Sequence, residues 1–355
     1  MFERFNNLSL TRNTGNSRRG FLKSAGAATF TVALPASLAG TMMNASAQGM
    51  TTIKATHGSG LCNMAFFLAQ RRELAKADGV ILDFVITPTN ADIATLFGAG
   101  QVDMSVIPYS NFHTLYDAGA PVKIVAGAGV DGCILLAKEG IKTAADLKGK
   151  SIGTFQADTL EVLPYDYLRK AGMSFKDVKV RYFNTSPELA QAFIVGGVDA
   201  ICHIEPYATQ CLTSRKGSSV LSDGSDVYGK NYSDCVLAVR NPLIEKNPQA
   251  VKAVIKAMML AQSQAEADID SALRDTVGTF YKTSMEAAKL AASKQPIMID
   301  QRKNKQFILD RGQSMLELGY IKKLPPAASV DFTLLEQVIA ENKALHAGLK
   351  LKTMA

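Results

Sequence analysis

The chain has 355 residues, 47% of them hydrophobic and 20% charged, which suits two ordinary globular domains and excludes an intrinsically disordered polymer. Its formal charge is +7, but Arg4, Arg12, Arg18, Arg19 and Lys23 against Glu3 alone place much of that surplus in the first 47 residues. What remains is too mild for the concentrated basic face that nucleic acid requires, so no nucleic acid is expected as a partner.

Residues 1–47 read as an address rather than as fold. Ser17-Arg18-Arg19-Gly20-Phe21-Leu22-Lys23 resembles the twin-arginine export signal. A run of small and apolar residues follows over 25–39, broken by Gly26, Thr29, Thr31, Pro35 and Ser37 and too weakly hydrophobic for a stable membrane span. Ala45-Ser46-Ala47 is a small-residue site that a signal peptidase accepts. No Cys stands at a lipidation position behind it. The mature chain is therefore expected to begin near Gln48, free in the periplasm, with the twin-arginine export machinery as a transient partner.

The mature part alternates strand and helix patterns. Residues 51–56 alternate as a first strand, and Gly58-Ser59-Gly60 breaks it. Residues 63–77 carry Met64, Phe67, Leu68 and Leu74 at helical spacing. A strand over 80–86, a short helix over 91–97 stopped by Gly98 and Gly100, and a strand over 104–107 follow. The same grammar restarts with strands at 151–155, 178–183 and 200–204 and helices at 160–171 and 187–194. Strand–helix alternation of this kind points to α/β layers with mostly parallel sheets. The tail from 242 onward reads as largely helical, notably over 250–267 and 332–347, and is expected to pack on the first lobe.

An internal echo ties the two units together. Residues 96–109 and 193–207 each run from a helix end through glycines, Val-Asp and a short strand to Pro-Tyr. Glycine suits a helix C-cap with positive φ, and Asp suits the tight turn. Ligands in open α/β sheets bind beyond the carboxyl ends of the strands, so each unit would offer one such exit to a shared cleft. The run 119–136, relaxed by Gly127, Gly129 and Gly132, fits a hinge between the units, and a second crossing is expected near 235–239. The lobes would then be 48–131 with 235–355, and 132–234.

At this point the residues resemble a family. Phe66-Phe67-Leu68-Ala69, Gly100-Gln101-Val102-Asp103, the run Ile141 through Lys150 containing Asp146-Leu147-Lys148-Gly149-Lys150, Gly197-Val198-Asp199-Ala200 with Glu205-Pro206, and Asn247-Pro248-Gln249-Ala250-Val251 are similar to periplasmic substrate-binding proteins of importers. The relatives in question serve nitrate, taurine, alkanesulfonates and thiamine-pyrimidine precursors. The resemblance implies a two-lobed α/β fold of the periplasmic binding protein type II class, with hinge strands and C-terminal helices on lobe I. It also implies a small-molecule ligand held in the cleft of a monomer, an ABC permease and ATPase as partners, and neither catalysis nor a cofactor.

Strand-exit positions nominate the cleft residues. His57, Ser59, Cys62 and Asn63 follow the first strand; Tyr109, Ser110 and Asn111 follow the third. Gln156, Asp158 and Thr159 follow the second unit's first strand, and His203, Glu205 and Tyr207 its third, while Asp131 and Asp234 flank the hinge. Where relatives often carry a Gly/Ser-rich anion cradle, this chain reads Phe155-Gln156-Ala157-Asp158-Thr159. Asp158 either faces the cleft, disfavouring sulfonate or nitrate, or caps the following helix.

The five cysteines, Cys62, Cys133, Cys202, Cys211 and Cys235, admit three readings. They are buried small hydrophobes, or a disulfide joins Cys202 to Cys211 or Cys235, or a soft metal or metal complex sits among His57, Cys62, Cys202, His203 and Glu205. The spacing matches no zinc motif. A cleft enzyme of the pyrimidine-precursor type is the remaining alternative, though Gly-x-Ser-x-Gly, Walker and His-Glu-x-x-His motifs are absent.

Overall fold

Runs that are buried at nearly every position set the two sheet centres, as strands covered on both faces require. The computed structural model describes residues 49–353 apart from Pro88, so the export-signal reading of 1–47 lies outside the described residues. The strands are β1 (Thr51–His57), β2 (Val80–Phe84), β3 (Met104–Pro108), β4 (Val122–Val130), β5 (Cys133–Ala137), β6 (Ser151–Thr154), β7 (Lys179–Tyr182), β8 (Ala200–Ile204), β9 (Ser219–Ser222) and β10 (Ser233–Arg240). The helices are α1 (Met64–Arg71), α2 (Asn90–Gly98), α3 (Tyr109–Asp117), α4 (Thr159–Lys170), α5 (Ser186–Ile194), α6 (Tyr207–Ser214) and α7 (Ser225–Tyr228). The tail adds α8 (Asn241–Lys246), α9 (Pro248–Ala267), α10 (Ile269–Thr276), α11 (Met285–Ala292), α12 (Lys305–Glu317), α13 (Thr333–Glu341) and α14 (Lys343–Gly348).

The two sheets follow one plan. In the first, β1 lies parallel between β2 and β3, and β10 runs antiparallel between β3 and β4, giving β2-β1-β3-β10-β4. In the second, β6 lies parallel between β7 and β8, and β5 runs antiparallel between β8 and β9, giving β7-β6-β8-β5-β9. The antiparallel insert in each sheet is the strand that arrives from the other. The first passage turns at Asp131 and Gly132, with φ of 57° and 84°. A side chain at 132 would also meet Gln295, its Cβ only 2.4 Å from that side chain. The second passage turns through Asn231, and Asp131 N–H donates to Tyr232 O at 3.0 Å, which ties the two passages together.

Each sheet has its own core. Phe66, Phe67 and Leu68 of α1 pack with Val254, Met258 and the first sheet, while Leu135, Ile152, Ile201 and Phe193 centre the second. Helices α9 and α13 cover the first sheet. Two tail helices reach further: α11 packs on α6, and α12 touches both α3 and α4. Asp166 of α4 accepts from Arg311 at 2.6 Å and Ser314 at 2.9 Å, both on α12, and Val162 packs with Met315 and Ile321 beside them. The tail therefore braces both lobes.

Several local expectations change. The helix expected over 63–77 begins as a tight 3-10 turn at Leu61–Asn63 and ends at Arg71, because Glu73 adopts a left-handed φ of 50°. The tail helix expected over 332–347 breaks at Asn342 into α13 and α14. Gly127 and Gly129 do not make the turn between the sheets; they flank a bulge in β4, where its pairing with β10 skips a residue. They lie inside β4, where a Cβ would sit 2.4 Å from Gln301 and 2.5 Å from the Cα of Cys62 respectively. Their bareness permits close packing, and the turn itself falls to Asp131 and Gly132.

Candidate ligand-binding cleft

The exits of β1 and β6 carry the facing loops. Gly60 brings the β1 loop against the end of β8: a Cβ there would stand 2.7 Å from Ile204. Leu61 N–H donates to Glu205 O at 2.8 Å, Asn111 Nδ2 to Ala157 O at 3.0 Å, and the hydroxyls of Ser59 and Ser186 lie 2.9 Å apart. Lys294 donates to Thr209 Oγ1 at 2.6 Å and lies 3.5 Å from the buried carboxylate of Glu205. These contacts join first-sheet elements or the tail to second-sheet elements, so the cleft is closed.

Two cavities lie along it. An inner chamber of about 40 Å³ is lined by Ser59, Cys62, Asn63, Asn111, Phe155, Asp158, Thr159, Ser186, Ile204, Asp234 and Cys235, among others. Asp158 caps α4 by accepting from Leu160 N–H at 3.0 Å while also lining this chamber, so its two readings coexist. Burial pushes its carboxyl up to about 7, against the pull of the Leu160 N–H. Asp234 is likewise raised by burial and accepts from Thr159 Oγ1 at 2.9 Å and Gln295 Nε2 at 2.8 Å. Among the described residues, no Lys, Arg or His lines this chamber. Its chemistry is that of two buried carboxyls among hydroxyl and amide groups, with burial favouring the protonated acids.

The outer pocket, about 540 Å³, shares Gly58, Ser59, Ile93 and Ser186 with the chamber. His57, Phe84 and Phe280 form an aromatic wall; the His57 ring lies 4.9 Å from Phe84 and 5.6 Å from Phe280. Burial lowers the His57 pKa, and its Nδ1 meets Gly58 O at 2.8 Å. Tyr207, Arg71, Asp83, Lys282, Asn184 and Thr185 supply polar groups around that wall.

Six nominated residues line neither cavity. Tyr109 is fully buried against His113 and Phe307, and Ser110 is buried behind it. Gln156 is exposed, beside Tyr320. Asp131 serves the passage between sheets, with burial pushing its carboxyl up to about 6. His203 is held by Ser186 O at 2.9 Å and stacks on Tyr207, and Glu205 is satisfied by Thr209 N–H and Oγ1.

The cysteines assemble differently from either sharp expectation. All five are free and buried. Cys235 faces Cys62, sulfur to sulfur at 2.7 Å, rather than Cys202, and Cys211 donates to Ala190 O. The group His57, Cys62, Cys202, His203 and Glu205 is not brought together, because His57 sits in the aromatic wall while His203 and Glu205 are engaged locally. The group that does converge is Cys62, Asp234 and Cys235.

The second-strand exits were missed. Thr89 after β2 and Asn184, Thr185 and Ser186 after β7 line the outer pocket, and the strand-exit rule applied to every parallel strand would have found them. Phe280 and Lys282 come from the tail, where no local signal marks them.

A family model described as NMT1/THI5 like matches residues 63–269. The chain belongs to this family. A protein of Brucella abortus named as a binding protein is 26% identical over 215 residues, covering 61% of this chain and 66% of that one. The chain thus spans just under two thirds of that relative. An Escherichia coli protein named for binding aliphatic sulfonates is 33% identical over 161 residues, covering 45% of this chain and 48% of its own. The solved structure of the periplasmic aliphatic sulphonate binding protein SsuA from Escherichia coli superposes with a TM-score of 0.65 at 20% identity, covering 80% of this chain and 91% of that one. This NMT1/THI5-like chain therefore has the two-lobed fold of periplasmic binding proteins. Among its described residues, no helix is long and apolar enough to cross a membrane.

Proposed function

We propose that this protein is the solute-binding component of an ABC-type importer and captures a small organic molecule in the periplasm. The lobes 48–131 with 235–355, and 132–234, act as jaws. The observation that carries the reading is the closed cleft, whose two connected cavities draw their walls from both sheets. Only a closed molecule offers both walls at once, so ligand favours closure, and closure marks the loaded state for a permease and its ATPase. Export by the twin-arginine route fits a protein delivered already folded.

The outer pocket suits a planar organic body against His57, Phe84 and Phe280, with polar groups met by Arg71, Lys282 and Asn184. The inner chamber disfavours a sulfonate or nitrate, since Asp158 and Asp234 bring carboxylates without a balancing side-chain cation. Binding rather than turnover is supported by the state of Cys62. Burial pushes its thiol up to about 11, and His57 is turned to Gly58 and the aromatic wall, so no activated nucleophile is assembled.

Thermal-shift screening against sulfonates, nitrate, pyrimidines and aromatic acids tests this. A true ligand at one hundred times its dissociation constant adds about 2.7 kcal/mol of stability and should do so without being consumed. Chemical conversion of the stabilising compound would replace the binding reading with an enzymatic one. A panel without any stabiliser, together with scattering profiles that do not change, would remove it.

A further inference from the structure

Neighbouring residues on a regular strand point to opposite faces, yet Asp234 and Cys235 both line the inner chamber. The pairing of β10 with β4 is shifted between Ser233 and Cys235, a bulge that turns both side chains toward the cleft. Cys62 meets them from the turn after β1, its backbone pressed onto the bare Cα of Gly129. The sulfurs of Cys62 and Cys235 and a carboxylate oxygen of Asp234 all lie within 4.8 Å of one another, and the three residues are 1–3% exposed.

A second observation points the same way. Asn63 is 1% exposed and lines the same chamber; its Nδ2 donates to Cys62 Sγ at 3.3 Å, and its Oδ1 has no hydrogen-bond partner. A buried amide oxygen left without a donor has room for an ion or a water as its partner.

We propose that the inner chamber is a metal site for one borderline-soft divalent cation of the Zn²⁺ class, held by Cys62, Cys235 and Asp234, with Asn63 on the same chamber wall. Two thiolates with oxygen donors select zinc, cadmium or cobalt over magnesium or calcium. Binding displaces the two thiol protons to solvent. Tetrahedral thiolate coordination sets sulfurs about 3.8 Å apart, against 2.7 Å here, so side-chain rotation opens the pair around the ion. The site goes beyond the organic ligand and does not depend on it, because that ligand has the outer pocket.

The test uses mature protein purified without an affinity tag, reduced and freed of metal with a chelator. Co²⁺ is added as a spectroscopic probe, and Zn²⁺ affinity is read by competition with a chromophoric chelator. One equivalent of Co²⁺ should give a thiolate-to-metal charge-transfer band. Cys62→Ser and Cys235→Ser should each cut the band to roughly half and weaken Zn²⁺ by on the order of 100-fold, and the double variant should abolish it. Asp234→Asn should weaken Zn²⁺ while keeping the band. Cys202→Ser, buried outside the chamber, should change neither and controls for folding. Absence of the band in reduced, folded protein overturns the site. So does a Cys62–Cys235 disulfide that re-forms in air while Zn²⁺ is in excess, or an equal loss in Cys202→Ser. The organic-ligand panel run on the same metal-free wild type separates failure of this site from failure of the importer reading.

Discussion

The two sheets share a strand order but send different chemistry into the cleft. The first exit of lobe I, Gly58-Ser59-Gly60, offers bare backbone that lets the loop close on Ile204. The matching exit of lobe II, Phe155 through Asp158, offers a capping carboxylate. The two Pro-Tyr exits diverge as well: Tyr109 is locked in the core, whereas Tyr207 lines the outer pocket and accepts from Lys282 N–H at 3.2 Å. A repeated topology fixes where loops arrive. Which atoms meet the ligand depends on what packs behind each loop.

The largest effect that probes this difference is a pH response carried by one histidine in each lobe. Burial lowers His113, beside α12, and His203, on β8, to about 4 from an ordinary 6.5. Between those values the unfolded chain binds more protons, so stability falls as pH drops through the window, by up to about 3 kcal/mol for each ring. Asp131 and Asp158, raised by burial, act in the opposite direction. Single variants therefore isolate each ring. Urea unfolding of His113→Gln and of His203→Gln from pH 7 to 4.5 should show a flatter acid limb than wild type. An unchanged slope in either would mean that ring is hydrated and titrates normally.

Glycine substitutions come next. Gly129→Ala places a Cβ 2.5 Å from the Cα of Cys62, and backbone cannot easily yield, so a loss of about 2–3 kcal/mol is expected. Gly153→Ala in lobe II meets side chains rather than backbone, Leu189, Phe183 and Ile201 at 2.9, 3.1 and 3.2 Å, and should cost about 1 kcal/mol. Equal midpoints in denaturant would show that the first lobe is no more tightly built than the second.

Helix caps give a symmetric, smaller effect. Thr89 accepts from Asp92 N–H at the start of α2, and Thr185 from Glu188 N–H at the start of α5. Each Thr→Ala change should cost about 1 kcal/mol. A marked inequality in chemical unfolding would single out one lobe as the less cooperative.

The smallest stability effect belongs to Asp158→Asn. Asn caps as well as Asp, so at pH 6 stability should move by less than about 0.5 kcal/mol. Titration calorimetry at pH 8, where Asp158 is mostly ionised, should nevertheless record stronger binding of taurine or nitrate to the variant, since a carboxylate has left the chamber. Unchanged anion affinity would show that Asp158 acts only as a cap.

Much of this architecture was readable before any coordinates. Alternation and uniformly apolar runs placed β1, β3, β6 and β8 within a residue or two, because a half-buried or buried strand imposes that pattern on its own sequence. The short β9, Ser219–Ser222, passed unnoticed because it is brief, polar and on an edge. In the cleft, the rule that ligands gather at strand exits reached Ser59, Cys62, Asn63, Asp158, Thr159 and Asp234, which converge on one chamber. It also nominated His203 and Glu205, whose side chains find local partners instead.

The sequence by itself determined the strand and helix grammar, its repetition, and the capping and turn positions, since each of these is decided by neighbours along the chain. Only the tertiary structure decided that Cys235 meets Cys62, that α12 grips both lobes, and that Phe280 joins His57 in one wall. Those pairings join residues far apart in sequence. They depend on which sheet β10 enters and how its bulge turns the side chains, and local periodicity carries no record of either.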